Sequence, residues 1–287
     1  MEYTIADWYE KGELSLIDGH QVFHLSEGEG PHLVLIHGFP TSSWDWQKLW
    51  AELIQRYTVT TLDLLGFGYS DKPKKNEYTI HQQASIVEKL LVQKGIKSFH
   101  ILAHDYGDTV AQELLARHQA HPIGILSCTL LNGGLFPETH RPRLIQRLLA
   151  GPFGSWVSRL LSYGKFTKSF SAVFGPNTQP SEAELKAFWE LIILQDGQRI
   201  YHLLIRYMRE RKEYRPRWVG ALQQTQVAIA LINGSVDPIS GRHMIERYRE
   251  IVSDHNIYEL ETIGHYPQTE APKDVLRAFY AFQKSIL

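Results

Sequence analysis

The chain has 287 residues, 43% hydrophobic and 21% charged, with a formal net charge of −1; this is globular composition, long for one domain unless a subdomain is inserted, with no global charge that calls for nucleic acid or an acidic membrane. Its lone cysteine, Cys128 in the apolar run GILSCTLL, excludes an intrachain disulfide framework and fits a reducing compartment. The opening MEYTIADWYEKGE does not read as a signal peptide, and no run approaches the roughly 18 apolar residues of a membrane span, so a cytoplasmic protein, monomeric or homodimeric, is expected.

In chain order, HQVFHLSEG alternates like an early antiparallel strand, whereas HLVLIHG (His32–Gly38) is continuously apolar, as in a strand covered on both faces. The β-branched run YTVTTLD ends at Asp63, and YTIHQQASIVEKLLVQKGI has helical spacing that closes at Gly95. The strand FHILAHD, the helix GDTVAQELLARHQA and the buried strand GILSCTLLNGG follow. From about Leu135 to Trp218 strand signals vanish; PSEAELKAFWELI opens on a capping box, Ser181 with Glu184, and RIYHLLIRYMRERKE reads as one amphipathic helix. Strands return in VAIALING and NIYELETI before a closing helix, APKDVLRAFYAFQKSI. Alternating strands and helices predict a mostly parallel sheet with helices on both faces. The expected organisation is a core over 1–134 and 219–287, with a helical cap over 135–218 lying across the carboxyl edge of the sheet.

Ligand crevices of open α/β sheets lie at the carboxyl ends of strands. Asp105 ends FHILAHD, Asp237 follows VAIALING, and His265 follows NIYELETI. The order nucleophile, acid, histidine is that of the α/β-hydrolase triad, with aspartate in place of serine, and Ala103-His104-Asp105-Tyr106-Gly107 meets the small-x-nucleophile-x-small elbow. Each residue also has a plainer reading: Asp105 as a helix N-cap, Asp237 before Pro238 as a turn former, His265 as a packing histidine. Asp254 and Glu261 are rivals to Asp237 that lie at no strand end.

HGFP (His37–Pro40), LDLLGFGYSDKP (Leu62–Pro73) and HDYG resemble the aspartate-nucleophile branch of the α/β-hydrolases, which holds epoxide hydrolases and haloalkane dehalogenases. HDYGDTVAQELL, NGGLFPETHRPRLIQRLL, VFGP, RWVGAL and HYPQ are similar to the mesoderm-specific transcript proteins within that branch. The resemblance implies an eight-stranded sheet and a cofactor-independent hydrolysis of a small apolar-to-amphipathic substrate, with no metal. Asp105 would form an alkyl-enzyme ester, and the backbone N–H groups of Phe39 and Tyr106 would form the oxyanion hole. His265 would activate water and Asp237 would orient it. Epoxide opening leads, with Tyr207 and Tyr163 as candidate cap donors; dehalogenation would have to draw on a cap tryptophan, Trp156 or Trp189, because Phe39 and Tyr106 stand where dehalogenases carry halide donors. Ester or lactone hydrolysis, or a catalytically silent binding protein, remain open.

His37, His104 and Phe136 are expected beside the pocket, the histidines orienting loop and elbow. Asp108 reads as a helix cap and the basic run RYMRERKEYRPRW as a solvated face. GFGYSD lacks the following helix of a dinucleotide fingerprint, and His118 with His121 lacks a third metal ligand.

Overall fold

The computed structural model describes residues 3–118, 122–253 and 256–286. Eight strands form one sheet: β1 (Glu13–Ile17), β2 (His20–Glu27), β3 (His32–Ile36), β4 (Thr58–Leu62), β5 (Ser98–His104), β6 (Gly124–Leu131), β7 (Ala228–Gly234) and β8 (Ile257–Leu260), in the order β1-β2-β4-β3-β5-β6-β7-β8. β1 and β2, and β2 and β4, pair antiparallel; every later pair is parallel. The central strands are buried almost end to end, which is why they read as unbroken apolar runs rather than alternating ones.

The helices are α1 (Ile5–Lys11), α2 (Gln47–Leu53), α3 (Ile80–Gln93), α4 (Tyr106–Arg117), α5 (Leu144–Ala150), α6 (Gly154–Arg159), α7 (Tyr163–Ser171), α8 (Glu182–Ile193), α9 (Tyr201–Leu204), α10 (Tyr207–Glu213), α11 (Arg215–Gln224), α12 (Arg242–Ile251), α13 (Pro267–Glu270) and α14 (Pro272–Ser285). The whole stretch between β6 and β7 is helical or irregular, and Ser181 and Glu184 form the capping box at the start of α8. Among the described residues no helix is long and apolar enough to cross a membrane.

Three features differ from the sequence reading. The opening residues form α1, closed by a Thr4–Asp7 capping box, and β1 pairs with β2; neither element was expected. The stretch read as one amphipathic helix is broken into α9 and α10. The bonds narrow there to Met208 N–H to Ile205 O (3.2 Å) and Arg209 N–H to Arg206 O (2.9 Å), the tighter i to i−3 pattern that reorients a chain. The reorientation lets α10 turn Tyr207 and Arg211, four residues apart on one face, into the interior.

Candidate active site

Asp105 sits between β5 and α4 at φ +46°, a backbone region that costs an aspartate free energy, and its side chain makes no capping bond to α4. The turn seats α4 directly on β3. A Cβ on Gly107 would lie 2.3 Å from the carbonyl oxygen of Ile36, so only glycine fits. The carboxylate is nearly fully buried, and Oδ2 accepts the Phe39 N–H at 3.2 Å. Tyr106 opens α4, but its phenol points away, toward the Tyr78 carbonyl at 3.5 Å, while its ring packs on Phe67 and Tyr207.

His265 and Asp237 come to the same sheet edge. His265 Nδ1 lies 2.7 Å from Asp237 Oδ2. That oxygen also accepts from Asn132 Nδ2 (2.9 Å) and Ser240 Oγ (2.8 Å), and Asp237 Oδ1 accepts the Ile239 N–H at 2.7 Å. Burial penalises the Asp237 charge, but His265 and these donors overcome it and hold the carboxyl at about 2. Burial likewise opposes a charged His265; Asp237 and then Asp105 overcome it, raising the imidazole to about 9. The two carboxylates thus favour the protonated imidazole.

Asn132, just past β6, is a site residue that the sequence reading did not single out. It caps that end: its Oδ1 accepts the Gly234 N–H at 2.8 Å, while its Nδ2 steadies Asp237. Of the rivals to Asp237, Glu261 is exposed and Asp254 lies outside the described residues, as does His121.

The flanking histidines hold backbone. His37 Nε2 accepts the Leu64 N–H at 3.0 Å and Nδ1 lies 2.8 Å from the Gly38 carbonyl, fixing the loop that presents Phe39. His104 Nε2 donates to the His265 carbonyl at 2.7 Å, and burial lowers that imidazole to about 3, so it stays neutral. Asp108 does not cap α4. It accepts the Leu131 N–H at 3.3 Å, tying α4 to the end of β6, and burial raises its carboxyl far above the usual range.

The basic run conceals the largest surprise. Arg211 is 2% exposed, not solvated. Its Nη2 donates to the Asp105 carbonyl at 2.9 Å and lies 3.5 Å from Asp105 Oδ1, its Nε donates to Thr109 Oγ1 at 2.7 Å, and its guanidinium stacks 4.5 Å over the Tyr207 ring. Its Nη1 is buried without a partner, as are both ring nitrogens of His140 and the Tyr207 hydroxyl. Burial pushes the Asp105 carboxyl up, yet Arg211 and then His265 overcome this and hold it below its ordinary value. The Tyr207–Arg211 spacing was the signal available in the sequence; four residues apart, both share one helical face.

A small cleft of about 80 Å³ is lined by Phe39, Ile145, Phe166, Phe170, Val173 and His265 among others. Tyr207, fully buried, packs 6.0 Å from the ring of Phe39. The other donor candidates are placed elsewhere. Tyr163 donates to Glu182 at the surface (2.7 Å), Trp156 is 67% exposed, and Trp189 packs on Phe166 and Tyr163. Phe136 packs against Tyr248, and the cleft wall does not include it. Among the described residues, no three His, Cys, Asp or Glu side chains are grouped to hold a metal ion.

The sequence is 42% identical to the mesoderm-specific transcript protein of Mus musculus, over 98% of this chain and 88% of that one. In three dimensions it is similar to haloalkane dehalogenase DbeA-M1 loop variant from Bradyrhizobium elkanii (TM-score 0.81, 20% identity, 96% of each chain). It is also similar to the epoxide hydrolase CorEH (TM-score 0.80, 18% identity, 96% of this chain and 98% of that one). At these identities the structural likeness is one of fold. Residues 31–272 match the α/β-hydrolase fold family, and the chain belongs to that family.

Proposed function

We propose that the protein hydrolyses epoxides through a covalent ester on Asp105, beneath a cap built from the helices between β6 and β7. The observation that carries this reading is the state of Asp105: a strained backbone, a carboxylate that caps nothing, and one oxygen held by the N–H of Phe39, which with His265 lines the cleft.

In this reading Oδ1 attacks an epoxide carbon, an ester C–O bond forms, and the ring C–O bond breaks. The departing alkoxide takes a proton from Tyr207, whose phenol is kept neutral by burial and by the Asp105 charge. His265 starts protonated; its proton replaces the one Tyr207 gives up, which leaves a neutral imidazole. Esterification removes the Asp105 charge, one of the causes of the raised His265 value, so the imidazole becomes the base when it is needed. It then deprotonates a water that attacks the ester carbonyl, while the Phe39 N–H holds the oxyanion on Oδ2. Collapse expels the diol oxygen, which takes the proton of the reformed carboxyl group.

Arg211 pairs with Asp105 at rest and loses that counter-charge once the ester forms; its charge then favours the alkoxide and the later oxyanion. Dehalogenation fits less well, since Trp156 and Trp189 stand away from the cleft and offer no indole N–H to a halide. The test is His265→Gln incubated with a panel of aryl and alkyl epoxides and weighed intact. A stable adduct that maps to the Asp105 peptide supports the reading; unimpaired turnover with no adduct refutes it.

A further inference from the structure

The cap carries an outward face that the proposed chemistry does not use. Five of its apolar side chains are strongly exposed: Leu144 (72%), Leu148 (47%), Phe153 (72%), Trp156 (67%) and Leu160 (65%). Leu144 and Leu148 are one turn apart on α5; Phe153, Trp156 and Leu160 follow the spacing of one stripe along and around α6. Large apolar side chains grouped in water on neighbouring helices mark a contact surface.

The charge carried by this stretch of chain is of one sign. From Thr139 through Ser181 the chain holds Arg141, Arg143, Arg147, Arg159, Lys165 and Lys168 and no aspartate or glutamate. Arg206 and Arg209, both exposed, line the groove between this stretch and α9–α10. The Arg159 guanidinium lies 6.0 Å over the Trp156 ring, so the aromatic and the cation act on the same spot.

We propose that the outer face of α5 and α6 docks on an anionic lipid surface. Aliphatic and aromatic side chains flanked by arginine and lysine are the composition of helices that lie in a membrane interface, with tryptophan at the headgroup level. A second copy of this chain is a poor occupant, because a self-complementary contact would press like charges together. The helix that carries the exposed Leu144 and Leu148 also supplies Ile145 and Gln146 to the cleft wall, so docking would bring the lipid surface to the helix that walls the cleft and favour substrates dissolved in the bilayer. The docking does not depend on which bond the enzyme breaks.

The experiment is co-sedimentation of the full chain with phosphatidylcholine vesicles, with and without phosphatidylserine, at low and high salt. Binding at least about tenfold stronger to the serine-lipid vesicles, and weakened by salt, is expected. Arg147→Gln and Arg159→Gln should each weaken it by about fivefold, Phe153→Ser and Trp156→Ser should weaken it further, and Arg277→Gln on α14 should leave it unchanged. These residues are exposed, and unaltered melting temperatures would show that the variants fold. Absence of binding, equal binding to both vesicles, or indifference to the Trp156 and arginine variants would overturn the proposal, as would a dimer in solution that Trp156→Ser dissociates.

Discussion

Asp105 and Arg211 are best understood as a pair. A carboxylate enclosed by protein tends to protonate, and a protonated acid is no nucleophile; the guanidinium 3.5 Å from Oδ1 keeps it ionised. Arg211→Met should therefore raise the Asp105 carboxyl and slow ester formation by about 10²-fold or more, read as the rate of adduct growth in a His265→Gln background. An unchanged rate would reduce Arg211 to packing. Tyr207→Phe should slow epoxide opening by about 10–10³-fold, the usual contribution of a general acid, while sparing breakdown of an ester already formed; equal loss in both steps would exclude the phenol as proton donor. Breakdown of the ester should quicken as pH rises, with an apparent pKa below the resting value of about 9, because the Asp105 charge that supports protonated His265 is gone. Single-turnover decay measured across pH checks this, and an inflection at or above 9 would contradict it. That Asp105, Asp237 and His265 lie just past strands was legible in the sequence, because β5, β7 and β8 each show as a run of strand-forming residues. The burial of Arg211 was not, because charge alone does not say which way a helix turns.

At the scale of elements, the site depends on α4 being seated on β3 and pinned from behind. Gly107→Ala forces a Cβ against the Ile36 carbonyl, where backbone cannot yield, and should cost about 1–3 kcal/mol of stability in urea unfolding. Glu113, on the far side of α4, accepts from Arg117 (2.6 Å), Arg217 (2.7 Å) and the Trp218 indole (2.8 Å), which joins α4 to α11. These partners outweigh the burial penalty and hold its carboxyl at about 2. Glu113→Ala leaves the buried Trp218 indole N–H without its acceptor, while Arg117 keeps Glu88 (2.7 Å) and Arg217 is partly in water; it should cost about 1–3 kcal/mol, and a change within experimental error would mean the cluster is solvated in solution. Strands and long helices were readable because burial on two faces and a 3.6-residue period leave plain patterns. The break between α9 and α10 leaves none, since the apolar spacing continues through it. Side-chain direction in the helices between β6 and β7 was equally hidden: Tyr163, Trp156 and Trp189 look alike in sequence to Tyr207, and only packing separates them.

Across the whole molecule, the buried His265–Asp237 pair links stability to pH with a definite sign. His265 is raised from its ordinary 6.5 to about 9, so its contribution is complete below 6.5 and is lost as pH rises through 9. Asp237 is lowered from 3.8 to about 2, so its contribution is present above 3.8 and is lost as pH falls through 2. The mostly parallel pairing followed from the alternation of strands and helices, and β2 from its own alternation, whereas the edge strand β1 is too exposed to show itself. The central claim is covalent, and one measurement addresses it most directly: repeated turnover of an epoxide in heavy-oxygen water, followed by the mass of the peptide that contains Asp105. Heavy oxygen accumulating in that carboxylate is the result expected, since water attacks the ester carbonyl. Label confined to the diol, with the Asp105 peptide unchanged after many turnovers, would contradict the account.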